Sequence, residues 1–261
     1  MDGVTRIVMK VIAISNQKGG VAKTTTCLSL GACLAEMGQL VLLIDLDPQT
    51  NLTLSLGLDP DDLRYTVDDA LLGNTSLVSV SRESETFGLD IIPAKRGLAV
   101  LDKILYGRPN YEFYLKRGLD AMGGAFYDFV LIDCPPSFGT LTLNALTAAD
   151  LLVIPVQCEY YAVHSLRQTI DLAALVRERT NPRLTYRVLV TMYDRRNRIC
   201  NLILDQMQQG MSPVMFKTII EVDTKLKESP VFGQPITLYE PNTRGAQQYR
   251  ALAREMVNHA G

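Results

Sequence analysis

Short, unbroken apolar runs recur along the chain: Val11 to Ile14, Val41 to Ile44, Leu89 to Ile92, Phe129 to Ile132, Leu151 to Val156 and Val188 to Val190. Runs this short and continuous suit strands covered on both faces. Between them, segments such as Thr24 to Met37 and Ser165 to Arg179 place apolar residues at helical spacing. Strand alternating with helix predicts right-handed crossovers and a mostly parallel, twisted sheet flanked by helices, an α/β fold. The first run reaches back through Ile7-Val8-Met9-Lys10 and predicts a buried strand. Asp59 to Leu72 predicts a short capped helical region. Leu98 to Leu119, broken by Gly107-Arg108-Pro109, predicts two helices. Arg244 to Asn258 puts Ala246, Tyr249, Leu252, Ala253, Met256 and Val257 on one side of a helix, which is expected to pack on the sheet. There is no internal repeat, low-complexity stretch or Pro/Ser linker, so residues 1–261 are expected to form one domain.

Composition narrows the function classes. Hydrophobic residues make up 47% and charged residues 21%, which is ordinary globular content. The formal net charge is −2, which excludes a strongly basic field over the whole protein but not a local basic face. The five cysteines, Cys27, Cys33, Cys134, Cys158 and Cys200, are odd in number and lack CxxC spacing. That disfavours a disulfide framework and a zinc site and suits a reducing cytoplasm, with Cys27 and Cys33 expected in helix packing. Two histidines, His164 and His259, are too few for a His-rich metal site. No apolar run approaches transmembrane length, and the N-terminus lacks the order of a signal peptide.

The first strand runs into Ser15-Asn16-Gln17-Lys18-Gly19-Gly20-Val21-Ala22-Lys23-Thr24-Thr25. A standard phosphate loop has glycine at positions 17 and 22, ahead of the lysine and threonine; this chain has Gln17 and Ala22. The chemistry survives the departures. Gly19 and Gly20 allow close backbone approach, and N–H groups at a helix start favour phosphate. Lys23 can reach β/γ oxygens, and the Thr24 hydroxyl can hold Mg²⁺. The second strand ends in Asp45-Leu46-Asp47-Pro48-Gln49, whose two acids alternate to one side. The fourth ends in Asp133-Cys134-Pro135-Pro136, an acid placed for the magnesium side of a phosphate loop. In a parallel sheet these C-terminal strand ends carry the ligand.

Lys18 to Thr25 resembles the deviant Walker A loop of the ParA/MinD family of partition and positioning ATPases, nearer to chromosomal-type ParA than to MinD. Asp45 to Gln49 looks like its first switch, and Asp133 to Ser137 like its Walker B and second switch. The resemblance continues through Pro155 to Ala162, Thr191 to Asp194, Leu226 to Pro230 and Arg244 to Tyr249. It implies a P-loop NTPase that uses ATP and Mg²⁺ and dimerises on ATP. Gly19, Gly20, Val21, Ala22, Lys23, Thr24 and Thr25 would cradle the phosphates. Lys18 would be the signature lysine that supplies charge to the partner subunit's nucleotide, as an arginine finger does. Thr24 would ligate Mg²⁺, with Asp133 and Asp45 in its outer shell, and Asp47 would orient the attacking water. Met192, Glu221 and Asp223 would lie at the base. The family's Pro-x-Asn there reads Glu221-Val222-Asp223 here, and Asp223 can still accept from an adenine amino group. Ala22 puts a methyl near the phosphates, and slow turnover is expected.

The resemblance also implies non-specific DNA binding through Arg196 and Lys225, with Arg195, Arg198 and Lys227 near them in sequence. It implies a partner, ParB-like or another cargo adaptor, that stimulates hydrolysis, and a cytoplasmic, nucleoid-associated protein. The few residues ahead of the first strand leave no room for a helix-turn-helix domain, so sequence-specific repression is not expected. Ala251 to Gly261 is short and lacks a basic face with bulky apolar residues, so membrane binding is not expected. The alternatives are a MinD-like membrane ATPase and a non-hydrolysing, ATP-dependent DNA-binding scaffold. An iron–sulfur reductase would need paired cysteines, and Cys134 stands alone after Asp133. The cargo stays open among a chromosome, a plasmid, a chemotaxis array and a protein compartment.

Overall fold

The computed structural model describes residues 9–123, 126–159 and 162–260. Ile7 and Val8 of the predicted first strand, and Tyr160 and Tyr161 of the motif after Pro155, lie outside them, as does the side chain of His259.

The chain runs β1 (Lys10–Ile14), α1 (Lys23–Glu36), β2 (Val41–Asp45), α2 (Asn51–Leu54), α3 (Val67–Leu71), α4 (Leu77–Val80), β3 (Arg82–Glu83), β4 (Leu89–Ile92), α5 (Leu98–Leu105) and α6 (Tyr114–Met122). It continues through β5 (Phe129–Asp133), α7 (Thr140–Ala148), β6 (Leu151–Gln157), α8 (Ala162–Arg179), β7 (Thr185–Thr191), α9 (Arg198–Met211), α10 (Lys225–Glu228), α11 (Ile236–Tyr239) and α12 (Arg244–Ala260). The strands form one sheet in the order β3-β4-β2-β5-β1-β6-β7, parallel except for the β3–β4 pair. All six predicted strands are present. The last is longer than its apolar run because the whole of β7 pairs with β6. The two-residue edge strand β3 is exposed and carries no apolar signal.

Strand residues alternate between two cores. Val11, Ala13, Leu42, Ile44, Val130 and Ile132 pack with α5 to α9 on one face. Ile12, Ile14, Leu43, Phe129, Leu131 and Val153 pack with α1 and α12 on the other. The result is a three-layer α/β/α sandwich. Helix α1 lies close on the sheet at Gly31, where an added Cβ would stand 2.7 Å from Leu43 Cδ2. Cys27 and Cys33 are buried in this helix, as expected. The expected helix 244–258 forms, but it leans chiefly on α1, with α10 and α11 beside it, rather than on the sheet alone. Tyr249, wholly buried, shares a 3.0 Å hydrogen bond with Thr26 Oγ1 of α1. The expected region 59–72 reduces to α3, closed by a capping box between Thr66 and Asp69. The stretch from Leu98 splits into α5 and α6 on either side of Gly107 to Pro109.

This topology fixes the site. β2 and β1 flank β5, and Asp45 and Ile14 both stand in register with Asp133. Three loops therefore leave the C-terminal edge of the sheet side by side.

Candidate functional site

The loop from Ser15 to Ala22 turns back over the sheet edge to start α1. Gly20 (φ 74°) and Ala22 (φ 63°) both adopt the left-handed conformation. The turn is pinned by groups from neighbouring strands. Asn16, wholly buried, donates to Pro155 O (2.8 Å) and accepts from Lys18 N (3.0 Å). Thr191 Oγ1 donates to Val21 O (3.1 Å), and Gln157 Nε2 donates to Gly20 O (3.2 Å). Lys23 Nζ curls back to donate to Lys18 O (3.2 Å). Burial pushes the Lys23 ammonium pKa down, while Asp133 and Asp47 oppose that shift.

Behind Lys23 the acids crowd. Thr24 Oγ1 donates to Asp133 Oδ2 at 2.6 Å, and Asp133 Oδ1 is buried with no hydrogen-bond partner among the described residues. Burial, and then the neighbouring Asp45 charge, push the Asp133 pKa well up. Asp45 uses its carboxylate differently. Oδ2 accepts from Thr53 N (2.9 Å) and Thr53 Oγ1 (2.7 Å), and Oδ1 accepts from Asp47 N (3.0 Å). Burial raises its pKa to about 6 against these hydrogen bonds. Asp45 thus ties the segment after β2 to α2. Asp47 comes to the cavity wall, with Oδ1 accepting from Gln49 N (2.9 Å), and burial raises its pKa too.

A cavity of about 380 Å³ opens at this edge. Its walls bring together Gly19, Gly20, Ala22, Lys23, Thr24, Thr25 and Asp47 from the phosphate side with Met192, Glu221 and Asp223 from the base side. Pro136, Leu226 and Tyr249 also line it. Of the residues predicted to cradle phosphate, Val21 does not line it; it is buried and presents its carbonyl to Thr191. Glu221 is ion-paired to Arg244 (3.0 Å) and lies 3.7 Å from Arg195. Asp223 accepts from Lys225 N (3.0 Å) and Gly245 N (2.8 Å), which ties α10 and α12 to the cavity rim. Lys18 lies outside the cavity and is ion-paired to Glu159 of its own chain.

A parallel bridge between Tyr193 and Glu221 joins the two segments that carry the residues expected to meet DNA. Arg196 sits at 86% side-chain exposure in a two-toothed pair with Asp194, both contacts 3.0 Å. Lys225 pairs with Glu228 at 2.7 Å. Arg198 begins α9 and is exposed, whereas Lys227 lines the nucleotide cavity. The functions of Asn16, Gln157, Thr191, Thr53 and Glu159 were not read from sequence. They are ordinary polar residues; the partners of Asn16, Gln157, Thr191 and Glu159 lie far along the chain, and only a position at or near a strand end could have marked those four, while Thr53 sits in α2.

The cavity fits a nucleotide and a magnesium ion. A Cβ added at Gly19 or Gly20 would meet nothing within 4 Å, so the loop is an open cradle. The unpartnered Asp133 Oδ1 beside the Thr24 hydroxyl leaves an acceptor for a metal-bound water. No group of three or more His, Cys, Asp or Glu side chains that could hold a metal ion occurs among the described residues. No helix among the described residues is long and apolar enough to cross a membrane.

Comparison with known proteins agrees with this geometry. Residues 9–186 match a family model described as an AAA domain. The sporulation initiation inhibitor protein Soj of Bacillus subtilis is 44% identical over 95% of this chain and 98% of its own. The chromosome partitioning protein ParA of Caulobacter vibrioides is 40% identical over 96% of this chain and 94% of its own. A crystal structure described as cobyrinic acid a,c-diamide synthase of Mycobacterium smegmatis, with bound ATP analogue and magnesium, superposes with a TM-score of 0.85 at 38% identity, covering 97% of this chain and 96% of that one. With the deviant loop, both switch segments and near full-length relatives in agreement, the chain belongs to the ParA/MinD family of P-loop ATPases.

Proposed function

We propose that this chain is an ATP-driven partition and positioning ATPase in which residues 1–261 act as one unit. Mg·ATP drives homodimerisation, the dimer binds DNA without sequence preference, and a ParB-like or other cargo adaptor triggers slow hydrolysis. The observation that carries the reading is the buried Asp133, with one carboxylate oxygen open, hydrogen-bonded to Thr24, which lines the cavity with Lys23 and Asp47. The Caulobacter vibrioides relative, a chromosome partitioning protein ParA, supports the partition role.

Each residue has a separate task. The loop N–H groups and the start of α1 hold the phosphates. Lys23, already desolvated, places its charge on the β/γ oxygens without further loss of hydration. Thr24 would hold magnesium, and Asp133 would orient its water. Bound magnesium neutralises charge on the phosphate oxygens. Asp47 accepts a hydrogen bond from the attacking water, and Asp45 fixes that segment by anchoring Thr53. Lys18 completes the partner's site and must first leave Glu159. Arg196 and Lys225 supply phosphate contacts after exchanging Asp194 and Glu228 for DNA. Exposed pairs of this kind are weak and screened by solvent, so polyanionic DNA displaces them readily.

The test is a pair of variants assayed for phosphate release with Mg·ATP and DNA, in the absence of any acid acceptor. Asp47→Ala should bind ATP and dimerise but hydrolyse poorly, because water orientation acts on the transition state. Lys23→Ala should lose nucleotide binding. Hydrolysis by Asp47→Ala at the parental rate would refute the assignment. Turnover that required an added carboxylic acid would favour synthase chemistry instead.

A further inference from the structure

Opposite the nucleotide cavity, the N-terminal edge of the sheet carries a second hollow, of about 470 Å³. It is built where the chain enters three strands: Leu40 precedes β2, Gly88 precedes β4 and Tyr127 leads into β5. Glu83 and Glu85 are exposed on one wall, and Asp90 accepts a 2.6 Å hydrogen bond from Tyr127 Oη. No basic residue among the described residues lines it. Its rim is apolar where solvent would ordinarily select polar residues. Phe87 is 94% exposed, and Leu40 and Phe126 are exposed beside it. Thr86 in the same wall is more than nine-tenths buried, and its Oγ1 has no hydrogen-bond partner among the described residues. The outer side of β3, at the end of the sheet, pairs with no other strand among the described residues.

These features converge on one occupant. We infer that this hollow docks an extended cationic peptide segment of a partner protein, in which basic residues alternate with aliphatic or aromatic ones. Such a segment can lie along the hollow in extended form, with its alternate side chains directed to the two sides. Its basic residues meet Glu83, Glu85 and Asp90, and its apolar residues cover Phe87 and Leu40. Charge complementarity selects against an acidic segment, and against a second copy of this same acidic wall. Because the hollow lies at the far edge of the sheet, occupancy leaves the phosphate loop and both switch segments free. The inference does not depend on the ATPase reading.

The test uses a fluorescein-labelled peptide of sequence Lys-Val-Lys-Phe-Lys-Val-Lys and an analogue with Glu for every Lys, titrated with the full chain and read by fluorescence anisotropy. The cationic peptide is expected to bind at least about ten-fold more tightly than the acidic one, and to weaken as salt is raised. The double variant Glu83→Lys/Glu85→Lys should lose about ten-fold in affinity, and Phe87→Ser about five-fold, in line with an aromatic anchor at an interface. All three positions are exposed, and circular dichroism melts check that each variant folds. Equal binding of the two peptides, or unchanged binding in both variants, overturns the proposal. Nucleotide-independent self-association that Phe87→Ser abolishes also overturns it, because the occupant would then be a second copy.

Discussion

Ala22 stands immediately before α1 at φ 63° and ψ 36°, with no side-chain cap hydrogen bond. An L-residue held in the left-handed region costs about 1–2 kcal/mol. Ala22→Gly removes that cost and leaves the chain before α1 with a better N-cap than alanine. Against it stands the greater freedom of glycine in the unfolded chain, worth about 0.4–1 kcal/mol. The net gain is about 1 kcal/mol, or about 2–4 °C in Tm for a chain of this size. Gly20 provides the mirror experiment. It sits at φ 74°, and an added Cβ meets nothing within 4 Å, so Gly20→Ala tests backbone strain with no clash. It should lose about 0.5–1 kcal/mol by the same two terms. Urea unfolding without nucleotide or magnesium measures both. Since Ala22 also lines the nucleotide cavity, removing its methyl should leave ATP affinity equal or higher, read by fluorescent-nucleotide titration. An Ala22→Gly protein no more stable than the parent, alongside a destabilised Gly20→Ala, would refute the view that Ala22 stores strain in the loop.

Lys18→Ala should remain monomeric in Mg·ATP by light scattering, while Glu159→Gln, which frees Lys18, should dimerise at lower ATP by a factor of up to about five, the reach of an exposed ion pair. Arg196→Glu and Lys225→Glu should each lose DNA in filter binding yet still dimerise, and removing one contact should flatten the log–log salt slope by about one unit. Burial holds the Asp45 pKa at about 6, above its ordinary 3.8, so its protonated form favours folding. That contribution is present below about pH 3.8 and is lost as pH rises through about 6. The stability of the parent relative to Asp45→Asn should therefore fall between pH 4 and pH 6, measured as urea midpoints across that window.

The sequence alone determined the six long strands and their parallel arrangement, because a strand covered on both faces must be apolar throughout, as Val41 to Ile44 and Phe129 to Ile132 are. It also determined the chemistry at the strand ends, since Lys23, Thr24, Asp47 and Asp133 sit next to apolar runs that fix their location. Local chain signals could not specify the edge strand Arg82–Glu83 or the single-turn helices α2, α10 and α11, whose conformation is set by what packs on them. The roles inside the site were decided at longer range still. Asp45 and Asp47 are two residues apart and look alike in sequence. One is buried against Thr53 and the other reaches the cavity because the chain turns between them. Lys225 and Lys227 diverge in the same way, one paired to Glu228 at the surface and one on the nucleotide cavity wall. Lys18 finds Glu159 across 141 positions of sequence, a pairing that exists only because β1 and β6 are neighbours in the sheet. Periodicity records which face of an element is covered. Which polar group meets which depends on strand order, and that is settled when the sheet closes.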